Sequence, residues 1–240
     1  YSLFMKNTLV YILFAAVVYL AHVYETQERE LARGTQSASK VAPVETRGRI
    51  AVLDSGLGRF QINKKYMCKD MPVFTVAGDG FDHDGHGTNI VGIIAENLDS
   101  ERFCITFYSI PAGMGISVYN FYLHKMAEHE VVGVNISMSG QFYDQNEHNL
   151  IQRLIKKGVK VFVAAGNERN DLDKKCNAFP ACLRHLVPEL EVVGNKKDYK
   201  IYSNYGSVVS IWADGVKKGF GNMTGSSQST ALATGIHFSK

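Results

Sequence analysis

The sequence has little net charge, little proline and no closely spaced cysteine pair of the zinc-finger type, and each shortage narrows what the chain can be. Its formal charge is +3, from 26 basic and 23 acidic residues, and the lysines fall in scattered pairs such as Lys64-Lys65, Lys156-Lys157 and Lys217-Lys218. Proteins that hold nucleic acid gather such charges into a patch or stripe, so nucleic-acid binding draws no support here. Charged residues make up only 20% against 45% hydrophobic, which excludes wholesale disorder and a coiled coil. Proline is sparse, at 5, beside 22 glycines. None of the four cysteines stands in a CxxC pair, and Cys68 and Cys104 each lack a second ligand nearby in sequence, so no metal centre is indicated. There is no internal repeat and no low-complexity tract. What remains, over 240 residues, is apolar material enough for one sizeable core with an appendage.

The appendage is N-terminal. Leu9 to Ala21 is a run of 13 apolar or aromatic residues inside an uncharged stretch of 17, Thr8 to Tyr24. That length lies between a signal-peptide core and a comfortable membrane span. Met5-Lys6-Asn7 reads as a translation start with a short basic region, leaving residues 1–4 upstream. Lys6 before the run and Glu25, Glu28 and Glu30 after it place the N-terminus inside and the remainder outside. Residues 1–24 are therefore expected to be a signal peptide or signal anchor, with membrane contact confined to residues 8–24 if uncleaved. The rest would be extracytoplasmic, secreted or periplasmic. Residues 25–47, polar and rich in small side chains, read as a linker, and the folded domain as residues 48–240. In an exported chain four cysteines allow three pairings. Cys176 and Cys182 close the short loop CNAFPAC, leaving Cys68 with Cys104; free buried thiols are the alternative.

Within the folded part, short β-branched runs alternate with helix-like segments. Arg49 to Leu53, Ile105 to Ile110, Val131 to Ser137, Val159 to Ala164, Glu191 to Gly194 and Val208 to Trp212 read as strands, mostly continuous apolar runs of the kind buried on both faces. Gly87 to Glu96, Ile116 to His129 and Asn146 to Lys157 read as helices, the last stopped by Gly158. The succession predicts an α/β fold: three layers, a mostly parallel β-sheet flanked by helices, with ligands at the carboxyl ends of the strands.

Three polar clusters fall at such positions. Asp54-Ser55-Gly56 directly follows the first strand. Asp84-Gly85-His86-Gly87-Thr88 opens an apolar helix. Gly225-Ser226-Ser227-Gln228-Ser229 leads into the small-residue helix Thr230 to Ile236, where the helix N-terminus would favour a developing anion. Each alone fits a turn, a solvated histidine or an N-cap serine. Together, in the order Asp, His, Ser with separations of 32 and 141 residues, they follow one of the chain orders in which a nucleophilic triad is built.

On these residues the sequence resembles the subtilase family of serine peptidases. IAVLDSG, DGHGTNIVGIIA and TGSSQSTALATG resemble its aspartate, histidine and serine motifs. VNISMSG resembles its substrate-binding strand, VFVAAGNE its oxyanion-asparagine segment, and YSNYGSVVSIWADG a further family segment. The resemblance spans Arg49 to Gly235 and implies a subtilisin-like fold. It also implies Ser227 as nucleophile, His86 as general base and then acid, Asp54 as the carboxylate that orients the imidazole, and Asn167 as an oxyanion-hole donor beside the Ser227 N–H. Ser137, Met138, Ser139 and Gly140, with Ala164, Ala165 and Gly166, are expected to line the binding site of an extended peptide or protein substrate, partly by strand addition. No cofactor is required for this chemistry. Structural calcium occurs in the family, but no loop here is rich enough in Asp and Asn to assign it.

Several residues depart from the family's pattern. Ser139 stands where glycine is usual, Ser226 replaces threonine, and Ser229 and Ala231 replace alanine and proline. Only 13 residues follow Ser227, fewer than the family usually has, and the linker is too short for a folded inhibitory propeptide. Two other functions are compatible with the sequence: a catalytically impaired subtilase-fold binding module, and a nucleotide site at Gly56-Leu57-Gly58. The latter lacks the third glycine and the acidic ribose ligand.

Overall fold

The computed structural model describes residues 44–58, 62–76, 78–110, 113–196 and 203–239. The expected export segment and residues 25–43 of the expected linker lie outside the described residues. Among the described residues, no helix is long and apolar enough to cross a membrane.

The most continuous apolar run forms the central strand. β1 (Gly48–Asp54) is buried without a break from Ile50 to Asp54. Its alternating side chains serve two cores: Ala51 and Leu53 face one side of the sheet, Ile50 and Val52 the other. In chain order there follow β2 (Val73–Phe74), α1 (His86–Asn97), β3 (Phe103–Ser109), α2 (Ile116–Glu128) and β4 (Gly133–Ile136). Then come α3 (Gln145–Lys156), β5 (Lys160–Ala164), β6 (Glu191–Asn195), β7 (Ile211–Ala213) and α4 (Ser226–His237). The seven strands pair in the order β2-β3-β1-β4-β5-β6-β7, and every ladder is parallel. Tyr122, Leu123 and Met126 of α2 and Ile151 and Leu154 of α3 cover one face. Ile90, Val91 and Ile94 of α1 and Ala231 and Ala233 of α4 cover the other. The three-layer α/β architecture is thus as the strand and helix pattern predicts.

After β3 the chain crosses to the far side of β1 to build β4, so the sheet changes winding direction beside β1. Such a point leaves a crevice at the carboxyl ends of the strands, and Asp54 is the last residue of β1.

Three strands differ from the expected ones. The strand expected over Val208 to Trp212 begins only at Ile211, because the Ser210 hydroxyl takes the Val192 N–H at 3.0 Å in place of a ladder bond. The strand expected over Val131 to Ser137 is shorter, Gly133–Ile136. The two-residue strand Val73–Phe74 carries too few residues to show a period. Glu45 and Arg47, at the end of the expected linker, make contacts with the folded part. Arg47 donates to the carbonyls of Lys65, Met67 and Ser100, and Glu45 accepts the Lys69 N–H at 2.8 Å, so both are tied to the domain. Cys68 is bonded to Cys104 and Cys176 to Cys182. The first joins the loop before β2 to β3; the second closes the CNAFPAC loop.

Candidate active site

Asp54 and His86 meet because two backbones come unusually close. A methyl group on Gly87 would lie 2.1 Å from the Gly56 carbonyl oxygen, and one on Gly56 would lie 2.4 Å from the Phe81 carbonyl oxygen. Only glycine at both positions lets the start of α1 settle against the end of β1. His86 is the first residue of α1, after Gly85 at φ 80°. Its Nδ1 lies 2.7 Å from Asp54 Oδ1, which also accepts the Ser55 N–H at 2.8 Å. Asp54 is 1% exposed, and its Oδ2 is buried without a partner.

Two more carboxylates hold this helix start. Asp82 Oδ2 accepts the Thr88 N–H at 2.7 Å and the Thr88 hydroxyl, while its Oδ1 accepts the Gly85 N–H at 2.9 Å. Asp84 Oδ1 accepts the His86 N–H at 2.8 Å and the Ser55 hydroxyl at 2.9 Å. These acceptors satisfy N–H groups that a helix start leaves open. Burial works against a charged His86 imidazole. The bond to Asp54 and the charges of Asp54, Asp84 and Asp82 outweigh it, so the histidine pKa is raised above its usual 6.5. The arrangement fixes Nδ1 as the bonded nitrogen and leaves Nε2 without a hydrogen bond among the described residues.

The serine segment is organised differently. Ser227 is the second residue of α4 and 7% exposed. Its hydroxyl donates to the Ser137 carbonyl at 3.0 Å and makes no hydrogen bond to His86. As in any first helical turn, its N–H has no acceptor within the helix. Asn167 lies beside it: the Asn167 Oδ1 accepts the Ser226 N–H at 2.8 Å and the Ser226 hydroxyl at 3.0 Å. That leaves the amide nitrogen of Asn167 on the other side of the group. The Ser226 hydroxyl in turn accepts the Gly166 N–H at 3.2 Å, so serine does there what a hydroxyl is needed for.

Asn204, fully buried, holds the Asn167 loop from below. Its Nδ2 donates to the Ala165 carbonyl and to Glu168, its Oδ1 accepts the Asn170 N–H, and its own N–H bonds the Gly166 carbonyl at 2.8 Å. Neither Asn204 nor Asp82 carries a sequence signal of such a role. YSNYG marked the first only as part of a longer segment, and the second precedes the histidine by four residues without any helical period.

Asp54, Ser55, His86, Ser137 and Met138 line one cleft of about 280 Å³ together with Ile110 and Met114. The expected peptide-pairing edges differ in what they can still bond. Met138 and Ser139 have no backbone hydrogen bond among the described residues, whereas both backbone groups of Gly140 are taken by Phe179, at 2.8 and 2.9 Å. Ala165 bonds Val193 and Asn204, and Gly166 bonds Ser226 and Asn204. Ala164, in the β5 ladder, with Ala165 and Gly166, can therefore wall a site but not add a strand. Among the described residues Glu45, Cys68 and Cys104 come close enough together to suggest a metal, but the two sulfurs are joined to each other.

The subtilase family (peptidase S8) matches residues 47–185, a stretch that holds Asp54, His86 and Asn167 and stops short of Ser227. Subtilisin-like protease 2 of Trichophyton equinum is 30% identical over 170 residues, 64% of this chain and 39% of that protein. Its namesake in Trichophyton rubrum is 31% identical over the same shares. The chain thus spans about two fifths of the length of these relatives. Among solved structures, a lanthipeptide protease superposes with a TM-score of 0.65 at 19% identity, covering 78% of this chain and 71% of that one. A mutant of the protease domain of PatA superposes at 0.63 and 20% identity, covering 78% and 76%. Those two likenesses concern the fold. With the family matching more than half its length, on the stretch that builds the aspartate–histidine pair, the chain belongs to the subtilase family.

Proposed function

We propose that the protein is a serine endopeptidase that hydrolyses peptide bonds through an acyl-enzyme on Ser227. The observation that carries this reading is the 2.7 Å bond between His86 Nδ1 and the buried Asp54, which leaves Nε2 free at the cleft. A serine hydroxyl is a weak nucleophile at neutral pH, and a base of fixed tautomer is what it needs. Rotation of the Ser227 side chain away from the Ser137 carbonyl would present its proton to Nε2. The oxygen then attacks the substrate carbonyl, and His86 takes the proton. The oxyanion is stabilised by the Asn167 amide and the Ser227 N–H. Collapse breaks the C–N bond, His86 returns the proton to the leaving amine, and water releases the acyl group by the same steps. Asp54 stabilises the imidazolium throughout. Peptide or protein substrates lie along Ser137, Met138 and Ser139. These steps use only the chain's own residues.

The two disulfides fit an oxidising, extracytoplasmic compartment, as the N-terminal segment does. One observation favours a second reading, a binding module without activity: the Ser227 hydroxyl is bonded to Ser137 rather than to His86. Apo geometry of this kind is common in active hydrolases. Incubation with an unfolded protein separates the two. The folded chain should fragment it and Ser227→Ala should not; no fragments from the folded chain would leave the binding module.

A further inference from the structure

We propose that the cavity beside Met138 is a specificity pocket for an arginine or lysine side chain of the substrate, with Glu147 as its counter-charge. The inference rests on the peptidase reading and names the substrate class. The cavity has a volume of about 400 Å³, and Ile110, Met114 and Met138 line both it and the cleft at His86. A peptide lying in the cleft can therefore drop a side chain into it. Ile116 and Phe179 complete apolar walls, and Phe142, 85% exposed, stands at the rim.

Two polar groups, Glu147 and Tyr119, line this apolar space, and no cation stands beside them. Glu147 is 3% exposed and lies in the first turn of α3. Asp144-x-x-Glu147 has the form of a capping box, and Asp144 does accept the Glu147 N–H at 2.7 Å. The reciprocal bond, from the Asp144 N–H to the Glu147 carboxylate, is not made, and that carboxylate borders the cavity instead. Opposite, from α2, the buried Tyr119 hydroxyl faces Glu147.

The groups that face Glu147 are Tyr119 from α2 and Asp144, which caps α3, with His148 next in the chain, and no cation is among the lining residues. Burial pushes the Glu147 carboxyl up, Tyr119 pulls it down and the Asp144 charge adds to the rise, leaving it at about 7. Burial holds Tyr119 well above the usual phenol range, so it stays a neutral donor. A buried carboxylate without a cationic partner is costly. A guanidinium or ammonium repays that cost, and its aliphatic stem suits the Met114, Ile116 and Met138 walls. An apolar side chain would instead seal the Glu147 carboxylate away from water with the neutral Tyr119 hydroxyl beside it and no cation, a costly burial for a charge.

The test uses fluorogenic peptides carrying arginine or its neutral counterpart norleucine at each position in turn around the cleaved bond. At one position the arginine-to-norleucine ratio of kcat/KM should be about ten-fold or more at pH 8.5. At pH 5.5 it should fall several-fold as Glu147 is protonated. In Glu147→Gln, checked by thermal unfolding, it should drop to about two-fold or less at pH 8.5. Norleucine peptides cleaved with no arginine preference at any position would overturn the proposal and leave the peptidase reading standing. So would a preference that Glu147→Gln and low pH leave unchanged. If no peptide is cleaved and Ser227 does not react with a fluorophosphonate, the peptidase reading itself fails and the pocket assignment falls with it.

Discussion

The two halves of the site are built to different standards of order. At the β1–α1 junction, Asp54 and His86 are bonded at 2.7 Å, held by Asp82, Asp84 and Ser55, and locked by the close approach of Gly56 and Gly87. At the start of α4, Ser226 and Asn167 are fixed to each other, yet Ser227 points its hydroxyl at the Ser137 carbonyl. Orientation of the base is costly to achieve during a reaction, because a buried carboxylate must already be in place; Asp54 Oδ2 carries such a cost, about 1–3 kcal/mol for one unpaired buried acceptor. Re-aiming a serine takes one side-chain rotation. Under the proposed mechanism the rigid half holds what a substrate cannot organise, and the adjustable half what it can.

The largest expected break in this contrast is Asp54→Asn. It removes the carboxylate that selects the histidine tautomer, and kcat should fall by about 10⁴-fold. The same change tests the charge balance. In the proposed mechanism the neutral form of His86 takes the serine proton, so activity should rise with pH through the histidine pKa, which sits above 6.5 in the intact site. Without Asp54, burial dominates, and the acid limb of kcat/KM should move to lower pH. A limb that stays put would mean that another group controls it.

On the other half, Asn167→Ala should lower kcat by about 10²- to 10³-fold with little change in KM, since the oxyanion exists only after attack. A loss confined to KM would make Asn167 a ground-state contact. The smallest effect is expected for Asn204→Asp, which keeps the acceptor for the Asn170 N–H but loses the donor to Ala165 and Glu168. The Asn167 loop should loosen, with kcat down by about ten-fold or less, and Asn204→Gln should not rescue it, because the longer side chain cannot reach the same three groups.

Much of this was legible in the sequence, for reasons visible in particular residues. Ile50 to Leu53 is a continuous apolar run, and such a run at this length becomes a strand covered on both faces. The glycines around His86 and before Ser226 advertise tight turns. What stayed illegible were contacts between distant segments. Nothing near Asn204 indicates that its amide will reach Ala165, 39 positions earlier. Nothing in Gly140 foretells its pairing with Phe179. Glu147 looks like an ordinary capping residue until α2 brings Tyr119 over it. Ser210 interrupts an apolar stretch by only one hydroxyl, yet that hydroxyl replaces a ladder bond and delays β7.

The central claim is that Asp54 and His86 activate Ser227. It is tested most directly by reacting the folded protein with a fluorophosphonate and mapping the adduct by mass spectrometry across a range of pH. A single adduct on Ser227 is expected, formed faster as His86 loses its proton and slowed severely in His86→Ala. No adduct on the folded protein, or labelling of Ser227 at the same rate without His86, would contradict it.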